Sequence, residues 1–391
     1  MDLPTEKPWA DFYLNGKLRM FREISVEKIG ANGYNGKCHT LAFDLSVSII
    51  SEEYIMKLLT VTVPCYNSQD YMRNCIESLL PGGERIEIII IDDGSKDATG
   101  IIADEYAAQY PDIVRVIHQE NGGHGEGINQ GLRHATGKYF KVVDSDDKLS
   151  EDLNAFLDAL EYCEAQGGVD LAVTNYFYVH SDGIGDRPIN YSSVLPEGEI
   201  FGWDDTRRFR PHQMLTIHSC TFRTEVMRAC GGELPRKTFY EDNLMVCRTL
   251  PHVEKIFYFN ADLYRYWIGR EGQSVQKDVM MKRYTHQVLC TELCFKSFHF
   301  DDIKSKMLHK YLEHELFLMF GISILYTRMN KSREADEAIA RMWDNCRAHD
   351  RKWAHHFRRR SVLTFLHFPG EMGYAFNDLV HKVCMSVVKY D

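Results

Sequence analysis

The chain has 391 residues, 44% of them hydrophobic and 26% charged, with a formal net charge of −10. This is the make-up of an ordinary soluble globular protein, long enough for one large domain plus an appendage or for two domains. The acidic balance argues against generic nucleic-acid binding, and the absence of any run of about 18 apolar residues excludes a predicted spanning helix.

Residues 1–55 are weakly patterned, and their start, MDLPTEKPWADFYLNGK, lacks the basic-then-apolar order of a secretory signal. Regular structure begins abruptly at MKLLTVTVP, residue 56 onward, so the first 55 residues read either as an extension from an upstream start or as a native arm packed on the core. From residue 58 strand and helix alternate. LLTVTVP is a buried strand, and DYMRNCIESLL a helix with Tyr71, Cys75 and Leu79 on one face. RIEIIIIDDGS is a second strand entering a turn, and DATGIIADEYAAQY a helix for which Asp97 is the expected N-cap. IVRVIHQ and KYFKVVD continue the strands, INQGLRHAT and EDLNAFLDALEYCEAQ the helices. VDLAVTNYFYVH, residues 169–180, is a further strand, followed by a polar loop to about residue 200. Continuous apolar strands separated by helices predict an α/β fold, a mostly parallel sheet covered on both faces. Beyond residue 275 the pattern turns helical, which divides the described pattern into an α/β domain over 56–275 and a C-terminal helical region over 276–391. The 11 cysteines are scattered with no C-x-x-C pair, as expected of buried thiols in a reducing cytoplasm.

In a parallel sheet of this kind ligands bind beyond the carboxyl ends of the strands, and two acidic clusters, IDDGS and VDSDD, sit at such ends. In KVVDSDDKL, residues 141–149, Asp144, Asp146 and Asp147 crowd into four positions. Neighbouring carboxylates raise one another's pKa, so either water on an exposed turn or a cation must relieve the repulsion. ENGGHGEGIN holds four glycines between 122 and 127; such a turn feeding a helix presents N–H groups to an anion. Glu241 and Asp242 in FYEDN are a candidate acid–base pair or simply first-turn acids suited to a helix dipole. His218 is a candidate for a metal or acceptor contact, with a structural histidine as the alternative. Arg270 and Gln273 lie on a loop after Trp267, where a mobile arginine can close over an anion. Trp203 and Trp267 offer faces to a sugar, but core packing is the simpler role for both. KWAHHFRRRSVLTFLHFPG, residues 352–370, places basic residues before an apolar run; it reads as a helix lying on an anionic membrane or as a solvated basic helix.

Taken in order, VPCYNSQDYMRNCIESLL, IIIIDDGSKDATG, ENGGHGEGINQGLRHATGKYFKVVDSDD and FYEDN resemble the motifs of family 2 glycosyltransferases of the GT-A fold, over residues 58 to about 275. YRYWIGREGQSV is similar to a loop in a bacterial subset of them. The resemblance implies that Pro64, Tyr66 and Asn67 hold the nucleotide base and that Asp93, rather than Asp92, accepts hydrogen bonds from uridine. It implies nucleotide contacts from Asn121, Gly122 and His124, the histidine standing in a stretch that departs from the commoner pattern, which has an arginine where Ile128 stands. Asp144 is then the ribose or metal carboxylate and Asp146 the ligand of Mn²⁺ or Mg²⁺, with His218 a further candidate ligand. Asp147 is expected to point away or to cap the helix beginning near Ser150. Asp242 is implied as the base of an inverting transfer, Glu241 as its orienting partner, and Arg270 as the residue that closes over the diphosphate.

The implied activity is metal-dependent transfer of a hexosyl or N-acetylhexosaminyl group from a nucleotide sugar, a UDP-sugar above all, to a surface glycan or lipid-linked acceptor. The setting would be the cytoplasm, at the inner membrane face if the tail binds lipid. A sugar-nucleotide nucleotidyltransferase is the competing enzyme class. It would carry a Gly-rich, basic loop after the first strand, where this chain has CYNSQD. A non-catalytic binding relative is the third class, and intact DSD and ED motifs weigh against it.

Overall fold

The structure is a computed structural model that describes residues 56–387 apart from 181, 182, 184, 211, 270–272, 274, 275, 361 and 369. The expectations placed on residues 1–55 and on Arg270 therefore lie outside the described residues.

Strands β1 (Leu59–Cys65) and β2 (Ile86–Asp92) are buried along their whole length and pair in parallel, Leu59 opposite Ile86 and Cys65 opposite Asp92. Helices α1 (Met72–Leu79) and α2 (Thr99–Gln109) follow them, then β3 (Val114–His118), α3 (His124–His134) and β4 (Tyr139–Val142). This near-continuous apolar pattern is what a strand covered on both faces requires. The chain continues through the short β5 (Lys148–Leu149), α4 (Leu153–Ala165) and β6 (Leu171–His180). Two short strands, β7 (Arg187–Ile189) and β8 (Ile200–Phe201), interrupt the expected polar loop. They are followed by β9 (Cys220–Arg223), α5 (Thr224–Ala229), α6 (Glu241–Thr249) and β10 (Ile256–Ile268).

The strand order is β3-β2-β1-β4-β9-β6-β10-β5. Strands β3, β2, β1 and β4 are mutually parallel, as are β6 and β10, while β9 runs antiparallel between β4 and β6. The expectation of a mostly parallel α/β sheet, of GT-A-like form, with helices around it and a helical C-terminal region is met. The carboxyl ends of β1, β2 and β4 lie at one edge, which brings Asn67, Asp93 and Asp144 to a common face. The 13-residue β10 shifts register twice against β6, around Asp262, and bulges of this kind re-aim side chains near functional sites. They carry Tyr264 and Trp267 up beside the Asp144–Asp147 turn.

The helical region comprises α7 (Lys277–Lys282), α8 (Tyr284–Lys296), α9 (Lys306–Arg328), α10 (Arg333–His349), α11 (Arg351–Arg358), α12 (Val362–Phe365) and α13 (Gly370–Val387). Ser305 caps α9 by accepting from the Leu308 amide, and Ser332 caps α10 in the same way at Ala335. Apolar side chains of this region, Phe295, Leu312 and Phe320 among them, belong to the same buried cluster as the sheet residues. The Tyr311 hydroxyl accepts from the Leu215 amide (2.8 Å), and its ring meets Phe209 edge-on at 4.9 Å. Glu315, also on α9, is buried with both carboxyl oxygens lacking a hydrogen-bond partner among the described residues, and burial raises its pKa to about 8, so it holds its proton at neutral pH.

The 352–370 segment does not form one helix. It folds as α11 and α12, with Phe357, Leu363 and Leu366 turned into the core and Phe365 and Phe368 left exposed.

Candidate active site

The loop after β1 is tied to the turn after β2. The Asn67 amide donates to Ser95 Oγ (3.0 Å), Asn67 Oδ1 accepts from the Lys96 amide (2.8 Å), and the Ser68 amide donates to Thr99 Oγ1 (2.7 Å). Ser68 Oγ in turn lies 2.8 Å from Ser145 Oγ in the DSD turn. Tyr66 is exposed at this mouth, whereas Pro64 is buried within β1. Asp97, the expected N-cap of α2, sits one residue ahead of the observed one, Ala98, with its carboxylate accepting from the Thr99 amide (3.0 Å).

Asp93 is buried and already engaged. Its Oδ1 accepts from the Gly122 amide (2.6 Å) and Gln119 Nε2 (2.6 Å), and its Oδ2 from the Gly123 amide (2.8 Å). Asn121 Nδ2 donates to the Asp93 carbonyl (3.1 Å). The amides of Gly122 and Gly123, which the sequence suggested as free donors for an anion, are thus directed at Asp93, and these residues shape the turn.

Helix α3 starts at His124, four residues earlier than the sequence pattern suggests, so most of the glycine-rich stretch is helical. The glycines are there for close packing. A Cβ at Gly125 would come within 2.7 Å of Glu241 Cγ, and one at Gly127 within 2.9 Å of the Pro64 ring. Their absence of side chain lets the helix lie directly on β1 and on the start of α6.

His124 consequently reaches both acidic motifs. Its Nε2 lies 2.8 Å from Asp144 Oδ1 and its Nδ1 2.8 Å from Glu241 Oε1. Burial alone would lower its pKa. The Asp144 charge and hydrogen bonds to both carboxylates outweigh that and hold it well above the ordinary histidine value. An imidazolium therefore bridges the DSD turn and the ED helix.

Asp147 does not point away or cap α4. It is buried, its Oδ2 accepting from the Tyr264 hydroxyl (2.6 Å) and its Oδ1 from the Trp267 amide (2.8 Å). The Tyr264 hydroxyl also accepts from the Asp144 amide (3.2 Å), so one phenol pins the turn from β10. Burial first, then the charges of Asp144 and Asp146, push the Asp147 carboxyl well above its usual range. His218 stacks on Tyr266 with ring centroids 4.3 Å apart, and burial lowers its pKa to about 4. Below it the buried Lys141 ammonium donates to the His218 carbonyl (2.9 Å) and the Cys220 carbonyl (3.3 Å), with its pKa lowered by burial to about 8.

One ligand atom each from Asp144, Asp147 and His218 lies within 4.8 Å of the others, a group that does not include Asp146. Hard carboxylate oxygens with a neutral imidazole suit a divalent ion such as Mn²⁺, and the mutual repulsion among the three aspartates is what such a charge would relieve.

At the start of α6, Tyr240 adopts a left-handed φ of 70° and turns the chain so that Glu241 is buried toward His124. Burial, then the Glu241 charge, raises the Asp242 pKa to about 6, while the His124 charge opposes the rise. A carboxylate tuned toward neutrality is a suitable general base. Just upstream, the Phe239 amide donates to His286 Nδ1 of α8 (3.3 Å). Trp203 is a core residue whose indole donates to the Val253 carbonyl (3.0 Å), and Trp267 is exposed. Gln273 Nε2 donates to the Trp267 carbonyl (2.7 Å). Tyr264, Tyr266, Lys141 and His286 were not singled out from the sequence. The period-two spacing in YRYW puts Tyr264 and Tyr266 on one strand face, but nothing local says which strand they face.

Residues 60–224 match the family model described as Glycosyl transferase family 2. The chain is 32% identical over 228 residues to the putative glycosyltransferase EpsH of Bacillus subtilis, covering 54% of this chain and 60% of that protein. It is 39% identical over 130 residues to the glycosyltransferase GlyG of Streptococcus pneumoniae, covering 32% of this chain and 42% of that one. The chain thus spans at most about three fifths of these relatives' length. In fold it is similar to S. aureus TarS residues 1–349, solved in complex with UDP, with a TM-score of 0.58, 18% identity, and coverage of 85% of this chain and 93% of that one. A second TarS structure with UDP-GlcNAc superposes equally well. Motif order, sheet topology and the clustering of the DSD and ED carboxylates agree with the match that this family model makes over residues 60–224.

Proposed function

We propose that the protein is an inverting, metal-dependent glycosyltransferase that moves a hexosyl or N-acetylhexosaminyl group from a UDP-sugar to a hydroxyl of a surface glycan or lipid-linked acceptor. The observation that carries this reading is the His124 bridge, which holds the donor-side Asp144 and the ED pair in one site with Asp242 tuned to about 6. Asp242 removes the proton of the acceptor hydroxyl as it attacks the anomeric carbon from the face opposite the leaving group. Tyr66 and Asn67 flank the base at the mouth, and Asp144, Asp146, Asp147 and His218 are the groups that would hold Mn²⁺ or Mg²⁺. When bound, the ion supplies positive charge to the departing nucleoside diphosphate. The UDP and UDP-GlcNAc complexes of TarS support the choice of donor. A nucleotidyl transfer is disfavoured because the loop after β1 offers Tyr66 and Asn67 where a phosphate-gripping lysine or arginine would be needed.

UDP with Mn²⁺ is expected to raise the melting temperature, and chelation of the metal to abolish most of the rise, as ligand linkage requires. Thermal-shift measurement over a panel of nucleoside diphosphates checks this; stabilisation by none of them in the presence of metal overturns the reading.

The proposal includes contact with a lipid surface through the C-terminal face. No helix of the described residues is long and apolar enough to cross a membrane. Phe365, Phe368, Met372, Leu379 and Val383 are nevertheless exposed, near the exposed basic side chains Arg358, Arg359 and Lys382 in sequence. The protein is expected to co-sediment with anionic but not neutral vesicles, and Met372→Glu with Leu379→Glu to lose the pelleting. Failure of the unaltered protein to pellet with anionic vesicles removes this part.

A further inference from the structure

The catalytic helix carries a cation beside it that has no ion-pair partner among the described residues. Arg283 lies at the junction of α7 and α8, and its guanidinium carbon sits 3.5 Å from the centroid of the Phe239 ring, within the contact range of a cation–π pair. Among the described residues no carboxylate lies within ion-pair distance of it. Its charge is felt locally: it opposes the burial that raises the Tyr240 phenol, and it adds to the burial that lowers the His286 imidazole. Phe239 is itself fixed, its amide donating to His286 Nδ1 (3.3 Å), and its carbonyl facing Cys290 Sγ (3.4 Å) of α8. The guanidinium is therefore half-buried and seated on a ring three residues before Asp242, without an ion-pair partner among the described residues. Lys282 adds an exposed ammonium next to it in sequence, and Arg236 and Lys237 are exposed on the loop that leads into FYEDN.

A half-buried, stacked guanidinium keeps its edge N–H groups for a planar or tetrahedral oxyanion, which it binds in fork geometry. The donor diphosphate is assigned above to the DSD turn, which His124 ties to Glu241, whereas Arg283 rests on Phe239. We propose that Arg283, laid on Phe239, is an anion subsite for the acceptor, and that the acceptor carries a phosphate or carboxylate close to the hydroxyl that Asp242 activates. This rests on the transferase reading above. It adds a class of acceptor: an anionic glycan or a phosphate-bearing lipid carrier rather than a neutral sugar.

The test uses the full chain and two separate titrations. UDP with Mn²⁺ is titrated first, and inorganic phosphate is then titrated into the UDP-loaded protein, with Arg283→Gln and Arg283→Lys alongside the unaltered protein. Phosphate is expected to bind the loaded protein in the millimolar range and about tenfold or more weaker in Arg283→Gln, with Arg283→Lys intermediate. UDP affinity is expected to stay within about twofold in both variants. Melting curves of Arg283→Lys, which keeps the charge and most of the stem, separate loss of the subsite from loss of the fold. Equal phosphate affinity in all three proteins overturns the subsite. A parallel loss of UDP affinity also overturns it, by assigning Arg283 to the donor diphosphate. Absence of UDP binding in the unaltered protein would instead strike the transferase reading, which keeps the two failures apart.

Discussion

Asp242→Asn is expected to lower sugar transfer by about 10²–10⁴-fold, the usual contribution of a positioned general base, while UDP affinity changes by no more than about twofold. The substitution keeps the size and polarity of the side chain, and Asn243 Nδ2, now 3.2 Å from Asp242 Oδ1, can still be accommodated by an amide oxygen. What disappears is a carboxyl at the ED turn that gains a proton close to neutrality. The pH profile provides an independent check. Because burial and Glu241 raise the Asp242 pKa to about 6, the base is protonated and inactive below that value. Transfer by the unaltered enzyme is thus expected to fall about tenfold per unit as pH drops below about 6, and the residual rate of Asp242→Asn to lack that acidic limb. Asp146→Asn is the contrasting variant, expected to weaken metal-dependent UDP binding itself. Steady-state transfer and UDP calorimetry on both proteins check the division, and loss of the same function in both sinks it.

Much of the frame was legible because its signals are local. IEIIIID can only be a strand buried on both faces, and VDSDD at the end of a strand marks the ligand edge wherever β4 lies in the sheet. The failures share a different cause. Asp147 looked like a surplus acid on a turn because its partners, Tyr264 and the Trp267 amide, stand 117 and 120 residues away and are raised to it by bulges in β10. The glycines of ENGGHGEGIN looked like an anion cradle because φ freedom and close packing leave the same mark on a sequence. Only the contacts at Glu241 and Pro64 show that packing governs Gly125 and Gly127. The basic-then-apolar tail looked like one amphipathic helix, but its turn between α11 and α12 buries Leu363 and Leu366 and leaves other aromatic side chains outside. Arg283 could not be found from the sequence at all, since a stacked arginine has no local pattern.

His124 is the sharpest example, and its removal is the second large effect expected. In the sequence it is a histidine in a loop; in the fold it spans 20 residues to Asp144 and 117 to Glu241. His124→Ala would leave Glu241, 1% exposed, as a buried carboxylate without its cation, and Asp144 without its neutralising neighbour. Removing one partner of a buried charge pair typically costs several kcal/mol; because His124 itself is partly exposed, about 2 kcal/mol of stability is expected. The loss should extend to catalysis through Asp242. The His124 charge is among the influences that lower the Asp242 pKa, so without it the carboxyl rises further and the acidic limb of the transfer profile moves to a pH above 6. His124→Gln, which can donate to only one of the two carboxylates in a given orientation, should recover part of the stability but not the position of that limb, because it restores a hydrogen bond without the charge. Thermal denaturation and a pH–rate profile of the two variants provide the measurements. A limb that stays at about 6 in His124→Ala, with an unchanged melting temperature, would show that the bridge between the DSD turn and the ED helix does nothing for the site.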